Sequence, residues 1–111
     1  MGTPKRRDTA GEIKMIIVTG SVTARADSFD ALKQACLDHC ERSRTEDGCL
    51  SHAVHVDAED PQRLFFYEEW TDMPALQAHF RQPGSATFIA AVRTYAAAST
   101  PPALFEATAI Q

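Results

Sequence analysis

The chain has 111 residues, of which 44% are hydrophobic and 23% are charged. This length suits one domain, and the composition is that of an ordinary globular protein rather than a disordered one. The net charge is −4, but three of the 11 basic residues stand together at 5–7, so that 8 basic residues face 15 acidic ones over 8–111. A body this acidic repels nucleic acid and anionic membranes, and we expect neither as a partner.

The first 12 residues, MGTPKRRDTAGE, are polar and lack the apolar core of a secretory signal. We therefore expect a disordered N-terminal arm over 1–12, a single domain over 13–111, and a cytoplasmic protein. The cysteines indicate the same compartment, because Cys36, Cys40 and Cys49 make an odd number and no secretory signal is seen before them.

Two of the cysteines lie four residues apart on a predicted helix, so they share one of its faces. Together with His39 or Cys49, Cys36 and Cys40 offer side chains that can ligate a metal. No second ligand pair stands at the spacing of a zinc site, however. We therefore interpret the three thiols as small buried side chains and expect no metal.

The first third of the chain predicts a strand followed by a helix. Residues 13–24, IKMIIVTGSVTA, are rich in β-branched side chains and contain no proline, which favours a strand. Asp27 or Ser28 can cap the helix that follows. Its core-facing stripe recurs at helical spacing and consists of Phe29, Leu32, Cys36, His39 and Cys40. Gly48, which tolerates a left-handed backbone, ends this segment.

The segment GCLSHAVHVDAEDPQRLFFYEEW predicts a β-hairpin, with strands at about 49–57 and 63–71 and a turn over 58–62. In the register that we expect, Asp57 lies opposite Arg63, and the four pairs that follow share one face of the sheet. Those four pairs are Val56 with Leu64, Val54 with Phe66, His52 with Glu68, and Leu50 with Trp70. The opposite face carries large apolar groups as well, so both faces need a cover.

Two helices and a strand are predicted after the hairpin. Thr71-Asp72 can cap a short helix that carries His79. A Pro-Gly pair at 83–84 interrupts this helix, and an alanine-rich helix follows over 85–99. Residues 103–110, ALFEATAI, contain few polar side chains and predict the last strand.

This order of elements predicts an α+β domain of the ferredoxin-like βαββαβ type. Its four-stranded antiparallel sheet would carry the helices on one face. The other face would leave an apolar patch of roughly several hundred Å² in water. Burial of that patch against a second copy is favourable, so we expect a homodimer.

Three short motifs follow one another along the chain. They are Glu46-Asp47-Gly48-Cys49 after the first helix, Tyr67-Glu68-Glu69-Trp70 at the end of the hairpin, and Ala75-Leu76-Gln77-Ala78-His79 on the short helix. In this order they resemble the antibiotic biosynthesis monooxygenase domain family, a group of dimeric α+β barrels that includes quinol monooxygenases. The resemblance extends over about 16–110. Many relatives continue into Pro-His where this chain has Pro83-Gly84, so that second histidine is missing.

The resemblance implies a pocket between the sheet and the helices of each subunit. Enzymes of the family oxidise electron-rich phenols, quinols or polyketide aromatics with O₂ and need neither metal nor flavin. The expected partners are therefore a small aromatic or quinol substrate and O₂, with no cofactor. Because a phenol that loses its proton is a good electron donor, the protein must supply a dry aromatic pocket, a base, and donors for the phenolate.

Candidate site residues follow from the same resemblance. Trp70 is expected as a pocket wall and as a donor through its indole N–H, and His79 is expected as the base. His52 opposite Glu68 is expected to act as an acid–base pair or an orienting pair. The residues expected to contact the substrate are Phe66, Phe80 and Phe88.

Each candidate also has a structural interpretation. The alternatives are a core position for Trp70, a polar pair at a subunit interface for Glu68 and His52, and a helix cap or helix surface for His79. His39 and His55 are interpreted as structural. The main functional hypothesis is a cofactor-independent monooxygenase. The second hypothesis is a non-catalytic, dimeric ligand-binding or stress-associated module of the same fold.

Overall fold

Six strands and three helices follow one another in a computed structural model that describes residues 6–7 and 13–110. In chain order they are β1 (Arg6–Arg7), β2 (Ile13–Ala24), α1 (Phe29–Ser43), β3 (Cys49–Asp57), β4 (Asp60–Trp70), α2 (Met73–Phe80), α3 (Pro83–Tyr95), β5 (Ala96–Ser99) and β6 (Ala103–Ala109). The disordered arm predicted over 1–12 lies outside the described residues, apart from the two residues of β1, which pair with β2.

Strand β2 lies at the centre of the sheet, and its neighbours all run antiparallel to it. Its residues from Ile16 to Thr19 pair with β4 and with β6 at once, so these two strands flank β2 on opposite edges. The short β5 pairs with the end of β2 on the same edge as β6, and β3 pairs with β4. The order β3-β4-β2-β6 confirms the predicted α+β, ferredoxin-like fold, with β1 and β5 as additions to the four predicted strands.

The hairpin of β3 and β4 confirms the middle of the predicted register. The observed pairs are Val56 with Leu64, Val54 with Phe66, and His52 with Glu68. The turn was predicted too long, because β4 begins at Asp60 and Asp57 pairs with Asp60 rather than with Arg63. The Asp57 carboxylate explains the tight connection: it accepts the Glu59 backbone N–H at 2.9 Å and an Arg63 N–H at 2.9 Å.

A β-bulge changes the register at the other end of the hairpin. The irregularity lies between Cys49 and Ser51, so Cys49 is opposite Trp70 and the predicted pairing with Leu50 is wrong. A bulge inserts one residue and re-aims its neighbours. Here it lets Cys49 and Trp70 both turn into the core, where they are 3% and 0% exposed, while Leu50 is only half-buried.

The alanine-rich segment after α3 is a strand, where a continuation of the helix was predicted. Helix α3 ends at Tyr95, and Ala96 takes an extended backbone conformation. Residues 96–99 then pair with 22–24 of β2, and the Thr100 N–H donates to the Ser21 carbonyl at 2.9 Å. Alanine favours helix intrinsically, but this propensity is weak and the edge of β2 offers a full set of hydrogen-bond partners.

Gly48 positions the start of α2. It has a φ of 83°, and a Cβ placed on it would collide with the side chains of Ala75 and Thr71. The Thr71 N–H donates to the Gly48 carbonyl at 2.9 Å. Asp72 caps α2 by accepting the Ala75 N–H at 2.9 Å, as the sequence predicts. The Glu-Asp-Gly-Cys motif is therefore the place where α2 docks closely onto the α1–β3 connection.

The two faces of the sheet differ in their cover. On β4 the helix-facing residues Leu64, Phe66, Glu68 and Trp70 are all buried. The opposite face carries large side chains as well, since Phe65 and Tyr67 are half-buried and Phe105 of β6 is 52% exposed. None of the helices in the described part of the chain combines the length and the apolar character that a membrane span requires.

Candidate active site

A cavity of about 350 Å³ lies between the helix-facing side of the sheet and the helices. Strands β2 and β4 form one wall, α3 forms the other, and α1 and α2 each contribute a histidine. Most of the lining surface is apolar, although serine, threonine, histidine, arginine and glutamate residues also line the cavity. The volume falls in the range of pockets that hold small organic ligands, such as a compound with one or two aromatic rings.

Five of the seven predicted site residues line this cavity: Phe66, Glu68, His79, Phe80 and Phe88. The other two, His52 and Trp70, lie outside the lining and are 1% and 0% exposed. The indole N–H of Trp70 donates to Glu68 Oε1 at 2.9 Å. The geometry therefore does not support the role predicted for Trp70 as a cavity wall and a donor to the substrate, because its N–H is already used within the protein.

Glu68 is a buried carboxylate on the cavity wall. Its side chain is held by Trp70, and its Oε1 lies 3.3 Å from His52 Nε2, although the angles there are not those of a hydrogen bond. Burial alone would raise the pKa of the Glu68 carboxyl, but His52, the Trp70 N–H and His79 together hold that pKa below its ordinary value. Glu68 is thus a fixed negative charge beside the cavity at neutral pH.

His79 is oriented by the carboxylate of Glu46, a residue that was not among the predicted site residues. Its Nδ1 lies 2.9 Å from Oε1 of Glu46, which belongs to the connection between α1 and β3. The His79 side chain is 4% exposed, and its ring stacks at a tilt on Trp70 with centroids 4.6 Å apart. A carboxylate on one ring nitrogen fixes the ring orientation and leaves the other nitrogen to act on a ligand.

His39 is a site residue that the sequence analysis interpreted as structural. It projects from α1, lines the cavity and stacks on Phe88 with centroids 4.3 Å apart and planes 8° apart. Burial, with the nearby His52 and His79, lowers the pKa of His39 to about 3, so its imidazole is neutral at pH 7. Its place on the core-facing stripe of α1 was visible in the sequence, but the contact with α3 was not.

Three imidazoles converge beneath the cavity. The ring centroids of His39, His52 and His79 lie 5.2, 5.2 and 5.6 Å apart in the three pairings. They come from α1, β3 and α2, three separate elements. One ring nitrogen from each residue lies within 4.8 Å of the other two. Such a group can relay protons or ligate a cation.

The cysteines lie behind the histidines in the core. Burial raises the pKa of Cys36 to about 12, of Cys40 to about 11 and of Cys49 to about 12, so all three are neutral thiols. The Cys40 sulfur lies 3.3 Å from His52 Nδ1. Buried protonated thiols are inert, which agrees with their interpretation as small packing groups.

The fold and cavity define a ferredoxin-like α+β domain with a buried imidazole–carboxylate site between sheet and helices. The sequence profile of one family, antibiotic biosynthesis monooxygenase, matches residues 15–100. The chain belongs to the antibiotic biosynthesis monooxygenase family, as its motifs predict.

Known proteins similar to this chain support the fold. The chain is 33% identical over 79 residues to the uncharacterized protein sll1783 of Synechocystis, a match covering 68% of this chain and 52% of the relative, so the match spans about half of that protein's length. Protein SO0527 of Shewanella oneidensis has a TM-score of 0.79 at 19% identity, covering 86% of this chain and 92% of the other. A candidate antibiotic biosynthesis monooxygenase of Deinococcus radiodurans has a TM-score of 0.75 at 27% identity, covering 87% and 94%.

Proposed function

We propose that this protein is a monooxygenase that oxidises a small phenol or quinol with O₂ in the cavity, without a metal or organic cofactor. The observation that carries the proposal is the pairing of His79 with Glu46 at 2.9 Å on the wall of an apolar, aromatic-lined cavity. A base held by a carboxylate beside a dry pocket is what deprotonation of a phenol requires. Membership of the family gives the oxidative chemistry its context.

The proton of the substrate is taken by His79. Its Nδ1 faces Glu46, so Nε2 is the nitrogen that accepts the phenolic proton. The Glu46 carboxylate stabilises the imidazolium that forms, as a buried acid does for a catalytic histidine elsewhere. The negative charge of Glu68 beside the cavity stabilises the same imidazolium, because Glu68 and His79 interact electrostatically.

The reaction needs no external reductant. The phenolate gives one electron to O₂, and the superoxide formed adds to a ring carbon that carries hydrogen, para to the phenolic oxygen in a phenol and ortho to it in a quinol. The O–O bond then breaks as a proton leaves that carbon, and the hydroxide released takes the proton held by His79. The products are one molecule of water and a quinone, which is a hydroxyquinone when the substrate is a quinol. One oxygen atom of O₂ enters the product and the other enters the water, so the four electrons come from the substrate alone.

An oxygen electrode tests this proposal directly. The full chain, dialysed against EDTA, is mixed with a panel of phenols, naphthols and hydroquinones, and O₂ uptake is compared with the same substrate without protein. We expect saturable uptake with at least one substrate. Absence of uptake across the whole panel would overturn the proposal.

One observation favours the second hypothesis, a ligand-binding module without turnover. The carboxylates at the site are already paired inside the protein, Glu46 with His79 and Glu68 with Trp70, as purely structural pairs would be. A thermal-shift screen with the same panel distinguishes the two functions. Stabilisation by a phenol that is recovered unchanged after incubation in air identifies a binding module.

We also infer a homodimer formed through the open face of the sheet. Phe105 is 52% exposed there, beside its strand partner Ile17 and the half-buried Tyr67. An exposed apolar surface of this kind is unfavourable in water and marks an interaction site. Light scattering after size-exclusion chromatography is expected to give twice the chain mass of 12.2 kDa, with Phe105→Asp shifting the protein towards the monomer.

A further inference from the structure

We propose that His39, His52 and His79 form a binding site for one divalent transition-metal ion of the Zn²⁺ type. One ring nitrogen from each residue lies within 4.8 Å of the other two, and all three residues are buried. Imidazole nitrogens around a tetrahedral zinc ion, each at about 2.0–2.1 Å from it, are separated by roughly 3.3 Å. An inward movement of about 1 Å or less by each nitrogen therefore suffices to close the site.

Two of the three residues have a buried nitrogen that lacks a hydrogen bond. These atoms are His39 Nδ1 and His52 Nε2, and the second of them has Glu68 Oε1 at 3.3 Å without the angles of a hydrogen bond. A buried polar atom without a partner is costly, and native proteins retain few of them unless an ion, a water molecule or a function accounts for them. Coordination of a cation by both rings would satisfy the cluster at once.

The surroundings of the cluster are those of a metal site. Histidine ligands usually carry a second partner on the other ring nitrogen, most often a carboxylate, which fixes the ring and strengthens it as a ligand. His79 has Glu46 at 2.9 Å from Nδ1, and His52 has the Cys40 sulfur at 3.3 Å from Nδ1. Glu68, a further anion, lies 3.3 Å from His52 Nε2 and offsets the charge of a bound cation.

The cluster also has a side open to a ligand. His39 and His79 line the cavity, whereas His52 lies behind them. A three-histidine site placed in this way keeps a fourth position that faces the cavity. The metal site does not rest on the proposed function, but the two compete for His79. A bound ion takes the lone pair with which His79 accepts the phenolic proton. Zn²⁺ is therefore expected to inhibit the metal-free reaction, and EDTA is expected to restore it.

Equilibrium dialysis of the full, EDTA-treated chain against Zn²⁺ tests the site. Wild type and the His55→Gln control, which changes the exposed fourth histidine, are expected to bind one ion per chain. His39→Gln, His52→Gln and His79→Gln are each expected to bind at least about 10-fold more weakly, and Glu46→Gln about 10- to 100-fold more weakly through its loss from His79. Absence of saturable binding by the wild type, or an equal loss in His55→Gln, overturns the proposal.

The spectrum of bound Co²⁺ provides a second readout that does not depend on how well the variants fold. Four-coordinate imidazole ligation in the wild type is expected to give strong visible absorption without a sulfur-to-cobalt charge-transfer band. Weak six-coordinate absorption, or a charge-transfer band that assigns the ion to Cys40, contradicts the site. Neither measurement involves turnover, so a failed oxygen assay with intact Zn²⁺ binding rejects only the proposed function, and the reverse result rejects only the metal site.

Discussion

The base of the cavity, formed by His39, Glu68 and His79, differs from its rim, formed by Phe80, Ile89 and Arg93. The three base residues are buried, the rings of His39 and His79 are in contact, and the indole N–H of Trp70 donates to Glu68. At the rim, Phe80 is 47% exposed and Ile89 is 50% exposed. Side chains at the base are therefore fixed by their neighbours, whereas the half-exposed side chains at the rim can change without disturbing the core.

The largest effect is expected when the proton acceptor His79 is replaced. We expect His79→Gln to lower kcat for oxidation of the best phenol by at least about 100-fold, because the proton acceptor is lost. The matched control is His55→Gln, which changes an exposed histidine outside the cavity and is expected to keep wild-type activity. If both variants lost oxygen uptake, or if neither did, the role of His79 as the proton acceptor would be contradicted.

A second substitution acts on the docking of α2, the helix that carries His79, and not on the chemistry of His79 itself. Gly48→Ala forces a side chain into a left-handed conformation and against Ala75, at the point where α2 docks. We expect urea unfolding to show a loss of about 1–3 kcal/mol.

Gly84→Ala is the control for that measurement. Its new Cβ would meet only the flexible end of Arg42, and its φ is not positive. The expected change lies within about 0.5 kcal/mol. An equal loss of stability in both variants would show that the replacement of a glycine by alanine, and not the docking of α2, explains the effect.

At the rim, Ile89→Ala is expected to change KM and not kcat. Truncation of a half-exposed wall residue removes apolar contact with the substrate but no catalytic group. We expect KM to rise several-fold, equivalent to about 1 kcal/mol of binding, with kcat unchanged. A fall in kcat comparable with that of His79→Gln would mean that rim and base are not separate.

The smallest effect is expected far from the cavity, at the hairpin turn. Hydrogen bonds from the Glu59 N–H and from Arg63 hold the pKa of Asp57 below its ordinary 3.8. Because this folded pKa is depressed, the stability that Asp57 contributes is present at neutral pH and is lost as the pH falls through the folded pKa. Asp57→Asn is therefore expected to lower the unfolding midpoint slightly at pH 7, and this difference is expected to shrink as the pH falls below 3.8. A difference that grows in acid would contradict the sign.

Much of the fold could be predicted from the sequence because it follows from local patterns. The alternation along β4 gave the pairing of His52 with Glu68, and the β-branched run of 13–24 gave the central strand. The strand at 96–99 could not be predicted, because alanine favours helix and only the edge of β2 makes an extended chain preferable there.

The candidate site residues were named through short motifs that resemble the family, and not through periodicity. Two of them, His79 and Glu68, line the cavity. The pairing of His79 with Glu46 and the convergence of His39 on His52 join residues 33 and 13 positions apart, on different elements. No periodicity encodes such contacts. Trp70 shows the opposite case, since its chemistry suggested the cavity while its position beside Glu68 placed it in the core.

The most direct test of the central claim follows the oxygen atoms. The EDTA-treated protein is incubated with isotopically heavy O₂ and the best phenol, and the quinone is examined by mass spectrometry. We expect one heavy oxygen atom in each quinone molecule with wild type and with His55→Gln, and little product with His79→Gln. A quinone that carries no oxygen from O₂, or labelled product formed equally by His79→Gln, would contradict it.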